Sequence, residues 1–155
     1  MRRLYGRGVI ALIAVLSATP VLSQAANFGN LSLSPGFAQG SGRVAGHTAG
    51  TYSLSSIANS DRNGNPCIGY GAETPDHIMT LDKDFPKLSV QVNSGGKDTT
   101  LIIRGPDNLT LCGDDTGSSK DASVQASNWK AGEYRIWVGA INAGQSWNYT
   151  LTVRQ

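Results

Sequence analysis

Apolar residues recur at every second position over three stretches of this chain, a period that suits half-buried strands and not amphipathic helices. The sets are Leu88, Val90 and Val92; Tyr134, Ile136 and Val138; and Tyr149, Leu151 and Val153. Each defines one buried face, and no convincing helical period interrupts them. Turn-forming clusters separate the stretches: Asn93-Ser94-Gly95-Gly96, Gly105-Pro106-Asp107-Asn108, Ala131-Gly132 and Asn142-Ala143-Gly144. Their spacing is that of an antiparallel β-sandwich or barrel, so the expected fold class is all-β. The first third is less regular, with short strands expected at 43–47 and 51–54 and a polar loop at 58–66.

The stretch from Asp98 to Asp115 reads as a hairpin with carboxylates at both ends. Pairing across the Gly105–Asn108 turn brings Asp98 back beside Asp114 and Asp115, and carboxylates gathered at a sheet rim suit a hard cation such as Ca2+. Asp76 or Asp121 is the expected fourth ligand. A second acidic pattern, Asp61-Arg62-Asn63-Gly64-Asn65, begins like a helix-flanked calcium loop. It then places Pro66 where that loop needs glycine and Ala72 where it needs glutamate, and it reads as a plain turn.

Residues 1–26 have the make-up of an export signal. Arg2, Arg3 and Arg7 precede an apolar run from Val9 to Leu16, and Ser23-Gln24-Ala25 supplies a small-x-small end. The run is shorter than the ~20 apolar residues of a spanning helix. The expected organisation is therefore a signal peptide at 1–26 and one domain at 27–155, secreted or periplasmic and without a membrane span. The chain has 13 Lys and Arg against 11 Asp and Glu. Three of the basic residues lie in the signal and none of the acids do, so the remainder carries about one net negative charge. No cluster of Lys and Arg marks a nucleic-acid surface, and nucleic acid is not an expected partner. Cys67 and Cys112 are the only cysteines. In an exported chain an even pair reads as a disulfide, here pinning the polar loop to the central hairpin.

Six segments occur in an order that resembles bacterial pre-peptidase C-terminal domains. They are Pro75-Asp76-His77-Ile78-Met79-Thr80-Leu81, Leu88-Ser89-Val90-Gln91-Val92, Asp98-Thr99-Thr100-Leu101, Gly113-Asp114-Asp115, Ala131 to Val138, and Tyr149-Thr150-Leu151-Thr152-Val153. The match covers about 40–154. The resemblance implies a jelly-roll-like sandwich, appended in that family to secreted peptidases and related to calcium-stabilised collagen-binding domains. It also implies acidic residues at the Asp114-Asp115 position. This chain differs in carrying no peptidase and in having the cysteine pair, as a stand-alone secreted member would.

Hydrolytic catalysis finds little support in the residues. There is no Gly-x-Ser-x-Gly elbow and no His-Glu-x-x-His motif, and the only histidines are His47 and His77. No catalytic residue is assigned, and the protein is not expected to be an enzyme. Trp137 falls out of phase with Ile136 and Val138, so it shares the outer sheet face with Arg135, while Tyr70 and Trp129 fall in expected loops. Exposed aromatics there would stack on sugar rings or pack on a partner. Trp147, in phase with Tyr149, is expected in the core. The Asn-x-Ser/Thr triplets at Asn30, Asn108 and Asn148 carry no information in a bacterial-type chain. The expected function is a non-catalytic interaction module at the cell envelope contacting a polysaccharide or protein. The alternative is an accessory factor for a separately encoded secreted hydrolase.

Overall fold

The computed structural model describes residues 25–155; the expected signal peptide lies almost entirely outside them. Eleven strands form two packed sheets. In chain order these are β1 (Leu31–Leu33), β2 (Arg43–His47), β3 (Tyr52–Ser53), β4 (Tyr70–Gly71), β5 (His77–Leu81), β6 (Phe85–Asn93), β7 (Thr99–Arg104), β8 (Thr110–Gly113), β9 (Ser123–Trp129), β10 (Gly132–Ala140) and β11 (Asn148–Arg154). Among the described residues, no helix is long and apolar enough to cross a membrane.

The first sheet is built around β10, which pairs antiparallel with β5, with β7 and, through Ala140 and Tyr70, with β4. β8 extends it beyond β7, and β3 extends it beyond β4. The second sheet runs β2-β11-β6-β9, antiparallel throughout. One pairing departs from the expected antiparallel sandwich: β1 lies parallel to β5, with Leu31 opposite Met79 and Leu33 opposite Leu81. A three-residue strand in a Gly- and Ser-rich segment is too short to show a period.

The alternating residues face one another across the sandwich as expected. Leu88, Val90, Val92, Leu151 and Val153 meet Met79, Leu101, Ile103, Ile136 and Val138 in one buried cluster. Two members break the alternation. Phe85 and Trp129 are out of phase with the inward residues of their own strands, yet each is 1% exposed and they are direct cross-strand partners. Asn128, with φ of 60°, turns the chain so that Trp129 points inward, a left-handed conformation Asn tolerates well. Trp129 was expected in a loop on a binding surface; it is a core residue at the end of β9, its indole N–H donating to the Ala126 carbonyl at 2.9 Å. Trp147 differs in the opposite sense, being only half-buried in the turn before β11.

A smaller cluster covers the outer face of the first sheet. Ile102 and Trp137 project there, and Leu54, Ile57, Ala58 and Cys67 from the 54–67 segment pack onto them. Cys67 is bonded to Cys112, so the cover is fastened to β8 as the sequence led us to expect. Asp61 fastens it a second time. Its carboxylate accepts the backbone N–H groups of Asn63 (2.8 Å), Asn65 (2.9 Å) and Cys112 (3.3 Å) and the Asn65 amide (3.0 Å). Burial pushes the Asp61 carboxyl up, but these four donors outweigh it and hold the group below the usual carboxylate range.

Candidate functional site

The hairpin formed by β7 and β8 brings three of the expected metal ligands together. Leu101 stands opposite Gly113 and Arg104 opposite Thr110 across the Pro106–Asn108 turn. Gly105 is required there, because a Cβ would run into the Tyr134 ring. Asp98, Asp114 and Asp115 each offer a carboxylate oxygen within 4.8 Å of the others. Burial and then the charges of Asp115 and Asp98 raise the Asp114 carboxyl above its ordinary range, and its Oδ1 is buried without a hydrogen-bond partner. Lys120 answers part of that charge, its Nζ lying 2.7 Å from Asp98 Oδ2. Three hard oxygen donors, one of them unpartnered, suit a calcium ion.

The expected fourth ligands lie elsewhere. Asp121 is consumed by the 94–96 turn, accepting the backbone N–H groups of Ser94 (2.8 Å) and Gly96 (3.1 Å) and the Ser94 hydroxyl. Asp76 lies outside the cluster and is only 3% exposed. Its carboxylate accepts the Val138 N–H at 2.8 Å and the Asn27 amide at 3.1 Å, so it ties residue 27 to the central strand.

Beside Asp76, His77 is fully buried, with Nδ1 2.8 Å from the Gly29 carbonyl and Nε2 2.9 Å from the Tyr149 hydroxyl. A carbonyl can only accept, so Nδ1 carries the proton and Nε2 accepts from Tyr149. Burial pushes His77 below its ordinary range, keeping it neutral, and burial followed by the Asp76 charge pushes the Tyr149 hydroxyl up. With both ring nitrogens engaged, His77 has no free position to activate a serine. His47 is exposed, its ring edge-on to Phe28 at 4.8 Å.

This buried pair has opposed pH effects. Burial raises Asp76 to about 6 against an unfolded value near 3.8, so the native state takes up the proton first. Its contribution to stability is complete below pH ~4 and is lost as pH rises through 6, a swing on the order of 3 kcal/mol. His77 acts the other way, its contribution being lost as pH falls below about 6.5. Urea unfolding of Asp76→Asn and of the unaltered protein should therefore diverge between pH 7.5 and 4.5, the unaltered protein gaining relative stability on acidification. Parallel profiles would refute a raised Asp76.

The expected aromatic patch does not assemble. Trp129 is in the core, and Trp137 is only 6% exposed, its indole N–H donating to the Glu73 carbonyl at 3.0 Å. Tyr70, 37% exposed, is the one exposed large hydrophobic among the described residues and stands apart on β4. The phase of Trp137 was legible, but the 54–67 cover over it was not.

A polar groove occupies that outer face instead. A cavity of about 350 Å³ is lined by Gly105, Pro106, Asn108 and Glu133, and one of about 620 Å³ by Ser56, Ile57, Glu73, Thr74 and Pro75. Both are also lined by Arg104, Arg135 and Trp137, the side chains they have in common. Arg135 was placed on this face by its phase, which Glu133 shares on the same strand; Arg104 was not singled out, because its approach to them depends on the register of β7 with β10.

The fold and this groove define an all-β sandwich with one disulfide and a polar trench across one sheet. No protein-family model matches the chain, and no curated protein matches it by sequence. Among solved structures it is similar to the pre-peptidase C-terminal domain of a collagenase from Bacillus anthracis, at 14% identity and a TM-score of 0.45, over 81% of this chain and 94% of that one. It is also similar to a periplasmic inhibitor of g-type lysozyme from Aeromonas hydrophila, at 15% identity and a TM-score of 0.43, over 80% and 95% of the two chains.

Proposed function

We propose that this protein is a secreted or periplasmic, non-catalytic binding module, a stand-alone relative of the pre-peptidase C-terminal domains, that holds an envelope polymer in the groove on its first sheet. The observation that carries this reading is the pair of cavities meeting at Arg104, Arg135 and Trp137. Rigid strands position these side chains, and the two cavities share them as lining, as suits a ligand that reaches into both. The disulfide accords with an oxidising compartment, and the ordered motifs from Asp76 to Val153 support the relationship. The test is a backbone-amide NMR titration with soluble bacterial polysaccharide fragments and then with an envelope-protein extract. Shifts should gather at residues 56–57, 73–75, 104–108 and 133–137, and Thr74→Trp, which fills the larger cavity, should abolish them. Shifts confined to the β2-β11-β6-β9 sheet would place the ligand elsewhere and overturn the reading.

Calcium is proposed as a structural ion held by Asp98, Asp114 and Asp115. The support is their convergence and the unpartnered Asp114 oxygen. An ion bound only by the native state stabilises it by RT ln(1 + [L]/Kd), about 2.7 kcal/mol at a hundredfold excess over Kd. Calcium should accordingly raise the melting temperature by several degrees and a chelator should reverse it. Asp115→Asn should weaken the response, and Lys120→Ala, which removes the competing ammonium, should strengthen it. An unchanged melting temperature across chelator and millimolar calcium would remove the ion.

A further inference from the structure

We propose that Arg104 and Arg135 form a clasp for the carboxylate of an acidic polysaccharide, a single uronic-acid unit held between the two cavities with neutral sugar units lying in them. This rests on the groove being the binding site and names the chemistry it selects. The two arginines are direct cross-strand partners on β10 and β7. Like charges placed opposite one another in a sheet are unfavourable unless something answers them. Arg135 is partly answered, its Nε donating to Glu133 Oε1 at 3.2 Å. The Arg104 guanidinium, also exposed, has no ion pair and no hydrogen bond among the described residues. An unpaired guanidinium beside a half-paired one presents forked N–H donors at a single point, the arrangement that recognises a carboxylate in bidentate fashion.

The flanking groups indicate what carries the carboxylate. Each cavity contributes one acid of its own, Glu133 in the smaller and Glu73 in the larger, together with the Asn108 amide and the Ser56 and Thr74 hydroxyls. Carboxylates on either side of a cationic junction repel a uniformly anionic polymer such as a nucleic acid. They accept well from hydroxyl groups. A ligand with one carboxylate among several hydroxyls satisfies both. A protein partner would call for an exposed aromatic anchor at the centre of the contact, whereas the Trp137 ring is buried, its N–H is engaged by Glu73, and Tyr70 lies outside both cavities.

The experiment is isothermal titration of the protein with a xylo-oligosaccharide carrying one glucuronic acid, its methyl ester and poly-glutamate at low ionic strength. The acidic oligosaccharide should bind, the methyl ester should not, and Arg104→Gln or Arg135→Gln should weaken binding by about tenfold or more. Arg104→Gln should leave the melting temperature unchanged or slightly raised, because it removes the like-charge contact. Undiminished binding by Arg104→Gln, equal binding of the ester, or no binding of the acidic oligosaccharide at millimolar concentration would overturn the clasp. Preferential binding of poly-glutamate would overturn the sugar assignment. If Thr74→Trp blocks a ligand that Arg104→Gln does not affect, the clasp fails and the groove stands.

Discussion

Replacing Trp129 by alanine is expected to lower the unfolding free energy by about 3–5 kcal/mol, the usual cost of removing a large buried aromatic. The indole is 1% exposed, lies 5.2 Å from the Tyr134 ring centroid and is the cross-strand partner of Phe85. Little can collapse into the space left behind, because Phe85 and Tyr134 are themselves fixed, the latter by donating from its hydroxyl to the Lys130 carbonyl at 2.7 Å. Urea denaturation measures the loss directly. Trp147→Ala is the internal comparison, and its half-buried ring should cost clearly less. If Trp129→Ala stayed within about 1 kcal/mol of the parent, the inward turn at Asn128 would be wrong.

Converting Cys67 and Cys112 to serine together should cost up to about 4 kcal/mol, the loop-closure value for a bridge spanning 45 positions. The effect should be felt first on the outer face of the first sheet. The bridge holds the segment whose Leu54 and Ile57 cover Ile102 and Trp137, and releasing it leaves two hydrogen bonds to β8, Cys112 N–H to Asp61 at 3.3 Å and Arg62 N–H to the Thr110 carbonyl at 3.2 Å, to keep that segment in place. Trp137 fluorescence should shift to longer wavelength before the sheets unfold, and adding Asp61→Ala should make the two losses more than additive. Unchanged emission in the double serine variant would show that packing and the Asp61 and Arg62 hydrogen bonds to β8 retain the cover without the bridge.

What could be read from the residues depended on whether the information was local. Alternation at Leu88 to Val92, Tyr134 to Val138 and Tyr149 to Val153 specified strands that the structure contains, and the Gly105–Asn108 turn specified the register that gathers Asp98, Asp114 and Asp115. Asp76 could not be placed in the same way. Its distance from that cluster follows from β5 and β7 lying on opposite sides of β10. The aromatic sites failed for a similar reason. A single left-handed residue, Asn128, carried Trp129 inward, and a distant covalent bond drew a cover over Trp137. Arg104 and Arg135 lie far apart in the chain and meet only through strand register.

The order in which the strands are laid down has a consequence for how the protein is made. The last two strands, β10 and β11, are interior: β10 separates β5 from β7, and β11 separates β2 from β6. β7 can pair with β8, and β6 with β9, before the last two strands are present, but β5 joins β7 only through β10 and β2 joins β6 only through β11. Both sheets are therefore made continuous only by the last two strands, and these ladders close over long sequence separations, the regime of slow folding. A polypeptide laid down in this order gains continuous sheets only once its two central strands have followed all the others, and loss of either would divide a sheet in two instead of trimming its edge.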